Sequence, residues 1–311
     1  MRHLFIVNPT AGGRDSTRYV SELAAKAFES RQDKYEVYVT KAPLDACNKI
    51  KEEAQNPGQL RVYACGGDGT LNECVNGAAG LTHVSVTHFP CGTGNDFVRM
   101  FGEDRHRFFE LPTLIDGEVR PIDVINCNGR YCINICSVGI DARVGTQVHK
   151  YSKIPLLGGP MGYLTSLIVN LFKGINRHLK VKYGDKYFEG SMALVCACNG
   201  RYYGGGFNPV PTARPDDGLI DFLIVKGVNI FEFFKMIMAY AKGKFREHPD
   251  YITHIQRDSI EILSSDEIVV NLDGEAIYGN EIKIRIIPEG VNFIFPKNMQ
   301  FFNAGHEKDG E

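Results

Sequence analysis

Gly66-Gly67-Asp68-Gly69-Thr70 follows an apolar run, Val62-Tyr63-Ala64-Cys65, and leads into a segment with helical spacing. Glycines let a backbone approach a ligand closely and adopt positive φ. A helix start turns free N–H groups toward an anion, and the two features together make a phosphate cradle. No Gly-Lys-Ser/Thr follows, so this is not a Walker A loop, and a bound phosphate lacks the charge of that lysine. An aspartate here repels phosphate unless a cation lies between them. Asp68 therefore points to Mg²⁺, which takes carboxylate and phosphate oxygens together. The plainer alternative is a tight strand–helix turn with Asp68 as a helix cap.

Gly92-Thr93-Gly94-Asn95-Asp96-Phe97 offers a second glycine turn with a hydroxyl, an amide and a carboxylate. Asn8-Pro9-Thr10-Ala11-Gly12-Gly13 and Thr40 close two further strand-like runs. Ligands of a parallel sheet bind beyond the carboxyl ends of its strands, so these segments would open toward one ligand. Asp123 follows Pro121 and Ile122 in an otherwise apolar run, where an unpaired carboxylate is expensive. Either a metal or a salt bridge would account for it. Asp216-Asp217-Gly218 reads as an ordinary turn. Asp273-Gly274 reads as a hairpin turn after Val269-Val270-Asn271-Leu272. On extended backbone Asp273 and Glu275 would point to one face; a turn at Gly274 would change that.

The elements needed to present these residues are readable from hydrophobic spacing. His3 to Val7, Tyr35 to Thr40, Leu60 to Cys65 and Val84 to Phe89 predict strands. Between them lie a helix built on Val20, Leu23, Ala24, Ala27 and Phe28, a second over Leu44 to Ala54, and a third from about Thr70 to Ala79. This alternation predicts a parallel α/β domain. After about Val119 strands dominate: Pro121 to Asn126, Arg130 to Val138, Leu179 to Tyr183, Met192 to Asn199, Gly218 to Val225, Ser259 to Leu263, Glu267 to Leu272 and Glu281 to Ile287. Two helices interrupt them, near Tyr163 to Lys173 and Phe231 to Lys242. This half predicts an antiparallel sandwich or barrel, packed on the first across a cleft.

The chain has 311 residues and is 43% hydrophobic, enough for two domains with real cores and against a disordered chain. The net charge of −2 gives no support for coating nucleic acid. Nine cysteines, an odd number with no CxxC, read mostly as buried thiols. With no signal peptide at the start, a reducing, cytoplasmic compartment is expected. Cys127, Cys132 and Cys136 fit no common zinc spacing. The uncharged stretch Ile154 to Phe172 is broken by Pro155, Gly158, Gly159 and Pro160. Its remaining helix, about 20 Å long, is too short for a bilayer core of about 30 Å.

Asn-Pro-x-x-Gly, Gly-Gly-Asp-Gly-Thr and Gly-Thr-Gly-Asn-Asp-Phe, in that order, resemble the diacylglycerol kinase catalytic-domain superfamily, and its soluble bacterial lipid kinases most of all. Pro211 to Gly218 and Asp273-Gly274-Glu275 agree in order and spacing. The resemblance implies an N-terminal, three-layer, Rossmann-like domain of NAD kinase/diacylglycerol kinase type over 1–125. It implies a C-terminal antiparallel β-sandwich with inserted helices over 126–296, with a tail, 297–311, packing back on the first domain. Carried over by position, ATP would lie on Asn8, Gly12, Thr40, Gly66, Gly67, Asp68, Gly69, Thr70, Leu71, Asn72, Thr93 and Asn95. Asp68, Asp96 and Asp123 would serve a catalytic Mg²⁺ network. A structural Mg²⁺ would use the Asp217 carboxylate and the carbonyls of Arg214 and Leu219. Asp273 and Glu275 would include the base, with Asp68 the third catalytic residue.

The implied reaction moves the γ-phosphoryl group of ATP to a hydroxyl of a membrane lipid, with diacylglycerol, giving phosphatidic acid, as the leading acceptor. A kinase acting on a sugar hydroxyl, like NAD kinases, is the alternative within enzymes; Gly-Thr-Gly-Asn-Asp-Phe and the apolar helices argue against it. A nucleotide-binding regulator without turnover is the other, but the acidic residues are all present. The expected partners are ATP and a lipid, with peripheral contact at the inner face of the membrane, no nucleic acid and room for a homodimer. Phe231, Phe234, Ile237, Met238 and Ala241 share a face of a helix ending in Lys242-Gly243-Lys244-Phe245-Arg246. That face could rest on an anionic membrane or simply pack into a core.

Overall fold

The computed structural model describes residues 1–140, 142–143 and 174–302. The helix expected near Tyr163 to Lys173 and the tail from Asn303 lie outside them. The chain forms two compact units: Met1–Ile122 with the segment from Glu289 onward, and Asp123–Pro288.

The first unit alternates β1 (Arg2–Val7), α1 (Thr17–Phe28), β2 (Lys34–Val39), α2 (Asp45–Glu53), β3 (Leu60–Gly66), α3 (Asp68–Ala78) and β4 (Val84–Pro90), followed by the short helices α4 (Asp96–Arg99) and α5 (Leu111–Ile115). Its sheet runs parallel in the order β2-β1-β3-β4. The central strands are continuous apolar runs because both their faces are buried. Among the described residues β2 pairs only with β1, and it carries polar residues such as Lys34 and Glu36. α1 buries Val20, Ala24 and Phe28, a stripe at helical spacing. α3 begins two residues earlier than its apolar spacing predicts, which places Asp68 in its first turn.

The second unit is antiparallel. It contains the end of β5 (Glu118–Cys127), then β6 (Arg130–Cys132), β7 (Ile135–Gly139), β8 (Arg177–Tyr183), β9 (Lys186–Cys198), β10 (Ile220–Lys226), α6 (Ile230–Ala241), β11 (Ile252–Arg257), β12 (Ser259–Leu272) and most of β13 (Glu275–Phe295). Neighbours run β11-β10-β9-β7-β12-β13, and β8 also pairs with β9 and β12. Alternate residues face two cores. Val195, Ala197, Phe222 and Ile224 enter one, and Leu194, Cys196, Leu223 and Val225 the other, where α6 adds Phe233, Met236 and Tyr240. All nine cysteines are free thiols, and only Cys91 is not fully buried.

Three expectations needed correction. The single strand over Arg130 to Val138 is two, parted by a turn at Ile133-Asn134 whose amides are held by Asp273. The strands at Ser259 and Glu267 are one, β12, with a register shift between Leu263 and Ile268. β13 is far longer than Glu281 to Ile287, and its end returns to the first unit, where Asn292 and Phe293 pair in parallel with Ser85 and Val86.

Candidate active site

Three glycine loops meet at the carboxyl ends of β1, β3 and β4, so tightly that side chains are excluded. A Cβ on Gly12, which has φ +66°, would stand 2.5 Å from the Cys91 carbonyl oxygen. One on Gly92 would stand 2.4 Å from the Gly67 Cα, and one on Gly66 2.2 Å from the Thr70 Oγ1. The Gly66 carbonyl accepts from the amides of Cys91 (2.8 Å) and Gly92 (3.0 Å). His88 Nε2 lies 3.1 Å from the same oxygen and donates to it when it carries the ring proton. Burial pushes the pKa of His88 down to about 4, so the ring is neutral at pH 7. Sequence patterning hides this residue, because it stands inside an apolar strand.

Asp68 is tied to a neighbouring loop. Its Oδ1 accepts the amides of Asp96 (2.7 Å) and Phe97 (3.4 Å), which ties the third-strand loop to the start of α4. Its Oδ2 lies 2.7 Å from where a Gly94 Cβ would be. Asn95 takes left-handed backbone, φ 52°, and its Nδ2 donates to the Gly92 carbonyl at 2.7 Å. The Asn95 Oδ1 is buried with no hydrogen-bond partner among the described residues. Asp96 is buried beside Arg99, whose Nε is 3.3 Å from Oδ1 and also donates to the Gly94 carbonyl at 3.1 Å.

Asn8 joins the first loop to α3 by donating from Nδ2 to Thr70 Oγ1 at 3.2 Å, while its Oδ1 accepts from Thr10. Thr40 follows β2, and its amide donates to the Val7 carbonyl at 2.9 Å. Thr93 and Gly69 are exposed at the loop crests. Leu71 and Asn72 point inward; Leu71 is a core side chain, and Asn72 accepts from Asn76 Nδ2 at 2.9 and 3.1 Å.

The remaining predicted residues belong to the second unit. The Asp123 amide donates to the Pro215 carbonyl at 2.7 Å, and its Oδ2 accepts the Gly218 amide at 2.7 Å. Asp123 is thus clasped to the Arg214–Leu219 loop. Asp217 accepts the Leu219 amide at 3.0 Å, and Arg214 holds Asp216 with two bonds of 2.9 Å. Burial, with smaller help from the charges of Asp221, Asp123 and Asp216, pushes the Asp217 carboxyl up to about 6. Among the described residues no three His, Cys, Asp or Glu side chains gather as a metal cage.

Asp273 and Glu275 do not share an extended strand. Asp273 has φ 51° and Gly274 φ 101°, a two-residue turn between paired Leu272 and Glu275. The Asp273 carboxylate accepts the amides of Ile133 (2.8 Å), Asn134 (3.2 Å) and Ile135 (2.9 Å) and the Cys132 thiol (3.1 Å). Glu275 is exposed. Asn199, which sequence reading missed, links the two aspartates: its Nδ2 donates to the Asp123 carbonyl at 3.0 Å and to the Ile133 carbonyl at 2.7 Å. Its one signal is an asparagine closing a buried run just before Gly200.

Residues 2–127 match the family described as diacylglycerol kinase catalytic domain, and residues 134–295 the YegS C-terminal NAD kinase beta sandwich-like domain. A diacylglycerol kinase of Bacillus subtilis (strain 168) is 30% identical over 276 residues, covering 88% of this chain and 89% of that protein. A diacylglycerol kinase of Staphylococcus carnosus (strain TM300) is 29% identical over 302 residues, 96% of each. A crystal structure from Bacillus anthracis str. Sterne, provisionally described as a diacylglycerol kinase, superposes with TM-score 0.73 at 27% identity, covering 95% of this chain and 97% of that one. The glycine loops described above thus sit in a chain that belongs to the diacylglycerol kinase catalytic-domain family and is a lipid kinase.

Proposed function

We propose that the chain transfers the γ-phosphoryl group of ATP to the free hydroxyl of diacylglycerol, forming phosphatidic acid and ADP. The observation that carries this is the mutual locking of the three glycine loops around the Asp68 carboxylate. Loops too close for side chains leave backbone amides as the groups that can meet a nucleotide. In this reading Asn8, Gly12, Thr40, Gly66 to Asn72, Thr93 and Asn95 bind ATP.

The acidic residues suit Mg²⁺. Asp68 and Asp96, with Asp123, are assigned to the catalytic ion. Asp217, whose carboxyl is pushed up to about 6 by burial, is assigned with the carbonyls of Arg214 and Leu219 to a structural one. When bound, the ion would screen these carboxylates from the phosphates. Glu275 is the base: it takes the acceptor hydroxyl's proton as that oxygen bonds to the γ-phosphorus and the bond to the β–γ bridging oxygen breaks. Asp273, occupied by the Ile133–Ile135 amides, positions the hairpin that carries Glu275. ATP as co-substrate fits a cytoplasmic enzyme working at the inner membrane face.

The test is an ATP-coupled assay across diacylglycerol, phosphatidylglycerol, undecaprenol, a sphingoid base and NAD. Fastest turnover with diacylglycerol is expected. A preference for another lipid would replace the acceptor, and turnover of NAD alone would overturn the reading.

A further inference from the structure

We propose that the outward face of α6 is the surface by which this enzyme docks on an anionic phospholipid bilayer; the inference rests on the chain acting on a bilayer lipid. α6 is apolar on two sides. Phe233, Met236 and Tyr240 face the core, whereas Phe231, Phe234 and Met238 are 83%, 53% and 59% exposed. At about 100° per residue the three exposed side chains and Lys235 and Lys242 fall within one arc of about 100°. Two exposed phenylalanines and a methionine in one stripe are costly in water and favourable in the headgroup–acyl boundary.

The charges around the stripe fit the same partner. Lys235 and Lys242 form no ion pair among the described residues. Lys244 is shared with Glu247 at 3.0 Å, and Arg246 lies over the Phe245 ring. The nearby acid, Glu232, is occupied: it accepts the Asn229 amide at 2.8 Å in the capping box and the Tyr251 hydroxyl at 3.0 Å. A recess of about 190 Å³ opens beside Phe231, lined by Phe231, Glu232, Lys235, Met236, His248 and Tyr251. A second copy of the chain fits less well, since a twofold contact through this stripe would gather Lys235 and Lys242 of both copies into one interface. No described helix is long and apolar enough to cross a membrane, so contact through these elements is with the surface.

Phe231→Ser/Phe234→Ser and Lys235→Glu/Lys242→Glu test this. Sedimentation with vesicles of phosphatidylcholine mixed with phosphatidylglycerol, without ATP, reads docking apart from catalysis. The phenylalanine variant is expected to partition at least about tenfold more weakly, near 1.4 kcal/mol. The lysine variant should lose its preference for these vesicles over pure phosphatidylcholine, along with its salt dependence. Both should keep the wild-type melting temperature and turnover of a short-chain, monomerically dissolved diacylglycerol. Unchanged partitioning of the phenylalanine variant overturns the proposal. So does wild-type protein that ignores the vesicles, or a variant whose only change is loss of a dimer. If docking behaves as expected but no lipid is phosphorylated, the surface stands and the proposed reaction fails.

Discussion

The carboxylate of Asp68 holds the start of α4 and, in the proposed reaction, also faces the metal of the phosphate loop. The two duties separate by substitution. Asp68→Ala removes a charged acceptor from two amides and should cost about 1.5–2 kcal/mol of stability as well as activity. Asp68→Asn retains an acceptor oxygen, so urea melts should stay near wild type while kcat collapses. Full activity of the asparagine variant would remove Asp68 from the metal network; an unshifted alanine melt would remove its structural link. Asp273 and Glu275 should divide in the same way. Asp273→Ala strips three backbone amides of their partner and should lower stability by about 2–3 kcal/mol. Glu275→Gln, at an exposed position, should leave the melt unchanged and lower kcat by roughly 10² to 10⁴, with little change in KM for ATP. Wild-type kcat in Glu275→Gln would place the base elsewhere.

The glycine loops make different demands on the strands that bear them. A methyl group on Gly92 meets Gly67 at 2.4 Å, backbone against backbone, so Gly92→Ala must spread β3 from β4 at their carboxyl ends. A methyl on Gly69 meets nothing within 4 Å. Gly92→Ala is therefore expected to lower the melting temperature, and Gly69→Ala to keep it while raising KM for ATP. Equal melts for the two would contradict the close packing of the loops. These loops and their strands were legible in the sequence because each signal is local: a buried apolar run, then glycines, then helical spacing. The Arg130–Val138 strand was misread because Asp273, whose amide partners split it, stands 138 to 140 residues away. Separations of 76 and 66 residues likewise concealed Asn199, whose side chain is held by Asp123 and Ile133. α6 was read as one apolar face with a choice of partner. It has two, and only packing shows that Phe233, Met236 and Tyr240 take the core.

Stability of the folded chain as a whole should depend on pH in a way that separates metal from protein. The Asp217 carboxyl rises from 3.8 to about 6 on folding, so its contribution is fully present below 3.8 and is lost as pH rises through 6. His3 and His88, lowered from 6.5 to about 4, work oppositely: the unfolded chain protonates first, and stability falls as pH drops below 6.5. Comparing melts in Mg²⁺ and in chelator at each pH cancels the histidines. The stabilisation by Mg²⁺ should be largest above pH 6, fade below it, and be reduced in Asp217→Asn. A pH-independent difference, or one undiminished in Asp217→Asn, would place the structural ion elsewhere. The return of β13 bears on how the protein is made. β4 gains its second parallel neighbour from Asn292 and Phe293, and Phe293 and Phe295 complete a ring cluster with Phe97, Phe101 and Phe108. During synthesis the first unit therefore waits, with the β4 edge bare and two of those five rings missing, until the whole second unit has left the ribosome. A chain that stalls or is cut near Pro288 would carry a sound second unit and a first unit that invites aggregation. For this protein a segment that follows the second unit in sequence closes the first.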